Sequence, residues 1–145
     1  MKIVVLDDYE KSMVFLQQNP IIAEKASIQI YHDRLKGQNL VTALQDANVI
    51  VLMRDRTPFR KDLIDQLPKL QYVIFTGNRN MAIDYEVLKQ RNIPVSYTEF
   101  GPSKETTVEL TWALILSAYK RIGEQNQVAM SGKWRNEHSV LPALH

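Results

Sequence analysis

Tyr72-Val73-Ile74-Phe75-Thr76-Gly77-Asn78-Arg79-Asn80 reads as an apolar strand running into a polar loop that contains glycine. A short helical pattern follows over residues 84–91, then a strand at Ile93–Tyr97, a polar turn at Thr98–Ser103 and a long apolar helix from Glu105. Loops that hand a strand over to a helix are where α/β proteins bind ligands. The helix segment Val108–Leu116 is apolar on almost every face, and such a helix is buried from all sides. The unit before it offers only one side. The stretch therefore implies a ligand in front of the loop and a packing partner behind the helix.

Outward from this stretch the pattern repeats. Apolar runs of strand length occur at Ile3–Leu6, Ile28–Tyr31 and Val49–Met53, near-continuous as strands buried on both faces should be. Between the strands lie helix-period segments at residues 9–25, 39–47 and 60–67. The first is expected to bend at Pro20, and Pro68 stops the third. Asp84 is a candidate N-cap for residues 84–91, and Ser103 for the long helix. Strands alternating with helices give right-handed crossovers and a parallel sheet. The expected class is α/β: a flavodoxin-like five-stranded parallel sheet, order 2-1-3-4-5, with flanking helices and a long C-terminal helix. Residues 1–103 form the sheet domain in this reading, and residues 104–145 form a helix from Glu105 to Gln127, with Gly123 its weak point, and an irregular strap.

Composition narrows the function. The 145 residues carry a net charge of +2, with 23% charged and 45% hydrophobic residues and no cysteine. That excludes disulfide, thiolate and zinc–thiolate chemistry, and leaves no basic field for nucleic acid or anionic membrane. Leu110–Tyr119, the longest mostly apolar segment, is about half a membrane span. The expectation is a soluble, cytoplasmic protein.

Three constellations could carry chemistry. Arg54 and Arg56 leave the third strand and Gly77–Asn80 leaves the fourth, so a guanidinium and a loop of backbone N–H groups face one crevice. Together they suit a carboxylate. The plainer reading, which spacing alone favours, makes the arginines solvated surface charges and the loop a turn. Asp7 and Asp8, with Asp55, Thr76 and Lys104, echo the magnesium and phosphoacceptor site of a phospho-receiver signalling domain. The bland reading of Asp7-Asp8, a solvated strand end, is preferred, because Asp55 lies between two arginines and Lys104 lies seven residues past its strand. His32, His138 and His145 are scattered over loop and tail, with no carboxylate at a spacing that would pair with and orient them, so none is assigned a role. The five glycines build neither GxGxxG nor a Walker loop.

Those residues resemble the N-terminal substrate-binding domain of the D-isomer-specific 2-hydroxyacid dehydrogenases, which include phosphoglycerate dehydrogenase and hydroxypyruvate reductase. Arg54 and Thr57 are similar to that family's Arg-x-x-Thr, and Leu67-Pro68-Lys69-Leu70-Gln71 precedes the fourth strand as it does there. Gly77 to Ile83-Asp84 resembles the carboxylate-binding loop, and Asn92-Ile93-Pro94-Val95 with Thr98 the fifth strand and its exit. Glu109-Leu110-Thr111-Trp112-Ala113-Leu114 resembles the interdomain helix, and Gly132-Lys133-Trp134 the Gly-x-Trp after it.

The resemblance implies substrate binding at Arg54, Gly77, Asn78, Arg79 and Asn80, with the backbone N–H groups of Asn78 and Arg79 on the substrate carboxylate. Arg79 departs from the family, which often has a second glycine there. Glu99–Lys104 departs from its usual Thr-Pro-x-x-Asn turn. The resemblance further implies a parent enzyme that uses NAD to interconvert a D-2-hydroxy acid and a 2-oxo acid. It also implies a homodimer through residues 105–130, and catalytic residues in a nucleotide-binding domain that would follow this chain. By itself the chain is expected to be inactive.

Overall fold

In the computed structural model, which describes residues 1–99 and 103–134, the first strand lies inside the sheet rather than at its edge. The strands are β1 (Lys2–Leu6), β2 (Ser27–Ile30), β3 (Val49–Leu52), β4 (Tyr72–Phe75) and β5 (Val95–Tyr97). All pair in parallel in the order β2-β1-β3-β4-β5, the expected flavodoxin-like order. Register matters most for function. Leu6 pairs with Leu52, Leu52 with Phe75, and Phe75 with Tyr97. Four strands therefore end in one row, and Asp7, Met53, Thr76 and Thr98 leave the sheet along the same edge.

Alternation along the strands divides the core in two. Val4, Leu6, Ile50, Leu52, Val73 and Phe75 pack on one face with Leu44, Leu63, Ile64 and Leu88 from the helical connections. Val5, Val51 and Met53 pack on the other with Met13, Leu16, Ile30 and Ile74. The inner strands are buried on both faces, as their near-continuous apolar runs require. β2, at the edge, alternates between exposed and half-buried residues.

The helices are shorter than their periodicity suggests. Residues 9–25 yield two single turns, α1 (Phe15–Gln18) and α2 (Pro20–Ala23). Asn19 accepts the Ile21 N–H at 3.0 Å and Pro20 opens α2, so the bend falls at the expected residue. α3 (Gly37–Leu44), α4 (Lys61–Ile64) and α5 (Tyr85–Gln90) complete the crossovers. Asp84 occupies the N-cap position of α5, but its side chain caps nothing. Arg91, just past α5, donates to the carbonyls of Ile64 and Leu67 and ties the end of α4 to the end of α5.

The chain divides into two units, Met1–Phe100 and Gly101–His145. The second holds α6 (Ser103–Tyr119) and α7 (Ile122–Met130), not one helix from Glu105 to Gln127. The break is at Arg121, which adopts the left-handed conformation at φ 48°; Gly123 sits unstrained inside α7. An ion pair from Arg121 to Glu124 bridges the new turn. Sequence offered glycine as the weak point, but the αL residue is the arginine. Ser103 is the first residue of α6 rather than its cap, and the residues before it lie outside the described ones. The apolar residues of α6 are exposed in the single chain, Trp112 at 56% and Leu114 at 61%. The expectation that this helix is buried from all sides is not met within one copy.

Candidate functional site

Two loops leave the common edge after β3 and β4, and a set of contacts between residues more than twenty positions apart fixes them to one another. Arg54 turns the chain out of β3 in the left-handed region, φ 59°. Its N–H donates to the Thr76 hydroxyl at 2.9 Å, and its carbonyl accepts the Asn80 side-chain amide at 2.6 Å. The Asn80 amide oxygen accepts the Ala82 N–H at 2.8 Å, and the Tyr85 hydroxyl donates to the Asn80 carbonyl at 3.1 Å. Burial pushes the Tyr85 hydroxyl above its ordinary pKa. One parallel bridge, Phe59 to Ile83, zips the loops further on, with Phe59 N–H to Ala82 O at 2.7 Å and Asp84 N–H to Phe59 O at 2.9 Å.

Gly77 shows why glycine stands here. Its φ is +98°, and a Cβ at this position would lie 3.1 Å from Arg54 Nη1. The Arg54 guanidinium therefore lies directly over the glycine. The Gly77 N–H is taken by the Thr98 hydroxyl at 2.8 Å. Next come Asn78 and Arg79, both exposed, whose N–H groups find no acceptor among the described residues. Two adjacent backbone donors beside a guanidinium form an anion-binding arrangement.

The structure thus brings Arg54, Gly77, Asn78, Arg79 and Asn80 together, with unequal parts. Asn80 is 2% exposed and both its amide atoms serve the loop, so it shapes the site from beneath. The Arg79 Nε donates to Met81 Sδ at 3.3 Å, leaving the rest of the guanidinium at the surface.

Arg56, two residues from Arg54, is committed elsewhere. It makes a bidentate pair with Glu10 at 2.8 and 2.5 Å, donates to the Asp7 carbonyl at 2.7 Å, and lies over the Tyr9 ring at 4.7 Å. These hydrogen bonds hold the Glu10 carboxyl down at about 2. Arg56 is thus a partly exposed residue whose charge is paired within the fold rather than offered to a ligand.

Asp7 and Asp8 are not a solvated strand end. They are 1% and 0% exposed. Asp8 accepts the N–H and hydroxyl of Ser12, both at 2.9 Å, and the Met13 N–H at 3.0 Å, which starts the chain toward α1. Asp7 accepts the buried Thr57 hydroxyl at 2.5 Å and the Tyr9 hydroxyl at 3.2 Å. With their oxygens occupied in this way, the pair is a set of loop anchors rather than a receiver's cation site. Asp55 is exposed, Thr76 accepts from Arg54, and the Lys104 side chain lies outside the described residues. Among the described residues, no group of three His, Asp or Glu is placed to hold a metal.

His32 does meet a carboxylate that sequence distance hides. Pairing of β1 with β2 brings its Nδ1 to 3.0 Å from the Asp8 carbonyl and 3.8 Å from the Asp8 carboxylate. His138 and His145 lie outside the described residues.

Sequence reasoning placed the arginine and the loop but missed what fixes them. Arg60, whose guanidinium donates to the Met81 carbonyl at 2.9 Å, and Tyr85 carried no local signal. The Arg-x-x-Thr spacing did mark Thr57, whose buried bond to Asp7 secures the β3 exit.

Residues 3–135 match the D-isomer specific 2-hydroxyacid dehydrogenase, catalytic domain. The chain belongs to this family. Among curated relatives, the hydroxypyruvate reductase of Blautia hydrogenotrophica is 25% identical over 140 residues, 94% of this chain and 42% of that protein. The glyoxylate reductase of Aeropyrum pernix is 33% identical over 98 residues, 67% of this chain and 28% of that protein. A solved phosphoglycerate oxidoreductase from Vibrio cholerae superposes with a TM-score of 0.72 at 25% identity, covering 99% of this chain and 45% of the other. The chain spans less than half the length of these relatives.

A dehydrogenase of this family implies a nicotinamide dinucleotide, and the described residues do not fit one. A cradle needs glycines where the backbone approaches a pyrophosphate. The glycines at 37, 77, 101, 123 and 132 build no G-x-G-x-x-G, and the space over Gly77 is filled by Arg54. Among the described residues, no helix is long and apolar enough to cross a membrane.

Proposed function

We propose that the edge formed by Arg54 and the Gly77–Asn80 loop is the carboxylate-binding side of an NAD-dependent oxidoreductase site that interconverts a D-2-hydroxy acid and a 2-oxo acid. One observation carries the reading. The loop is held from beneath so that the N–H groups of Asn78 and Arg79 stand unpaired, among the described residues, beside the Arg54 guanidinium. The two N–H groups hold the substrate carboxylate and Arg54 adds charge beside it, a charge-assisted arrangement that orients the carbon to be reduced. Family membership and relatives named as hydroxypyruvate and glyoxylate reductases support the reaction class. Hydride is the cofactor's to supply, and none of the described residues is assigned a catalytic role or dinucleotide contact.

Titrating the ¹⁵N-labelled chain with pyruvate tests the site. Saturable shifts at the Asn78 and Arg79 amides are expected, with β1 unmoved. Shifts spread over the surface, or none, would remove the reading. The same chain incubated with NADH and a 2-oxo acid should not oxidise NADH, and turnover would contradict the division of labour proposed here.

The second unit is read as the interdomain helix and homodimer strut, residues 105–130, of a cytoplasmic enzyme. Support comes from Val108, Leu110, Trp112, Leu114 and Ile115, all exposed and distributed around α6, more apolar surface than isolated exposed side chains present. Light scattering should give a dimer mass, and a monomer at high concentration would refute it.

A further inference from the structure

We infer that Arg79 is a specificity-determining residue that fits this site to 2-oxo and 2-hydroxy acids bearing a second acidic group. The inference rests on the carboxylate-binding reading above and extends it to a substrate class. From Thr76 to Ile83 the loop carries no acidic residue. Three guanidinium groups nevertheless meet it. Arg54 covers Gly77, Arg79 reaches Met81 Sδ through its Nε, and Arg60 donates to the Met81 carbonyl. Arg56 is neutralised by Glu10, but none of these three has an ion-pair partner among the described residues. Asp55, Asp62 and Asp84, the acids nearest to them in sequence, form no ion pair with them among the described residues.

The first carboxylate does not account for this charge. Two backbone N–H groups and Arg54 are a sufficient cradle for one anion, and a monoanion would leave Arg60 and Arg79, which both contact Met81, unneutralised. Both are exposed, but the Arg60 guanidinium is engaged by the Met81 carbonyl, whereas Arg79 stands in the loop itself, at one of the two free donors. Arginine also lets the loop backbone approach less closely than glycine would, so its presence must be offset by what its head can do. A second carboxylate or phosphate on the substrate meets that head with charge-assisted hydrogen bonds.

The test is the ratio of two affinities. The labelled chain is titrated with pyruvate and with 2-oxoglutarate at matched ionic strength, following the Asn78 and Arg79 amides. Wild type should bind the dianion about fivefold more tightly or better, about 1 kcal/mol at an exposed site. Arg79→Ala should bring the ratio near one, and Arg79→Lys should keep part of it. Equal binding of the two acids by wild type, or a preference that survives Arg79→Ala, overturns the inference while leaving the carboxylate site in place. Failure of both acids to move the loop amides overturns the site itself and the inference with it.

Discussion

Replacing Asn80 by alanine should loosen the site more than any change to the residues that would touch substrate. Its amide makes a 2.6 Å bond to the Arg54 carbonyl and accepts the Ala82 N–H at 2.8 Å, from a position 2% exposed. Each such bond contributes about 1 kcal/mol net, and a half-buried N–H left without an acceptor adds to the loss. With the space left by the missing amide, Asn80→Ala should destabilise the first unit by about 2–3 kcal/mol. For a unit of this size a urea m-value of about 1.5 kcal/mol/M is reasonable, so the midpoint should fall by about 1.3–2 M. Backbone NMR peaks from β1, β3 and β4 report on this unit without interference from the helices of the other. Asn80→Asp is the sharper variant. It keeps the acceptor for Ala82 but turns an oxygen toward the Arg54 carbonyl, so it should cost at least as much as alanine. A midpoint shift below about 0.5 M for Asn80→Ala, or an aspartate milder than the alanine, would show that Asn80 does not hold the two loops together.

Further outcomes follow from the same edge. Thr57→Val removes the 2.5 Å donor to buried Asp7 and should cost about 2–3 kcal/mol, read by the same urea titration. Gly77→Ala meets both the +98° φ and the Arg54 head at 3.1 Å, and should cost about 1–2 kcal/mol while displacing Arg54, visible as loss of pyruvate-induced amide shifts. Glu10 should show in the acid limb. Its folded value of about 2 lies below its ordinary 4.5, so its contribution is complete above about 4.5 and disappears as pH falls toward 2. Glu10→Gln should flatten stability against pH across that window, and an unchanged profile would mean that the exposed ion pair with Arg56 is screened away. Trp112→Lys should shift the chain from dimer to monomer by light scattering.

The strands were legible because their signal is local. Short Val- and Ile-rich runs bounded by turn residues gave all five, and their alternation with helical patterns gave the parallel sheet, while the order 2-1-3-4-5 rested only on how often it occurs in five-stranded α/β units. Helix lengths were less legible, since apolar spacing persists through residues that the structure leaves as turns, as at 9–14 and 65–67. The αL break at Arg121 had no signal in residue type, and glycine two positions on drew the expectation away from it. Asp7 and Asp8 misled for another reason: an acidic pair at a strand end is usually wet, and only the β3 exit loop with Thr57 and the turn at Ser12 and Met13 makes it dry.

Arg54 and Arg56 show what sequence cannot decide about a site. They have the same charge, stand two residues apart after the same strand, and both face the carboxyl edge. Their difference arises from which loop each meets. Arg56 reaches back to the exit of β1, where Glu10 and the Tyr9 ring are waiting, and its charge is neutralised within the fold. Arg54, itself left-handed, turns toward the exit of β4, where it finds a glycine, a hydroxyl and an amide but, among the described residues, no acid. A cation that folding pairs is part of the scaffold. One that folding packs against a glycine, beside N–H groups unpaired among the described residues, is left with its charge available, which is what the proposed carboxylate site requires. That distinction depends on contacts spanning twenty to fifty residues, and the proposed binding site rests on it.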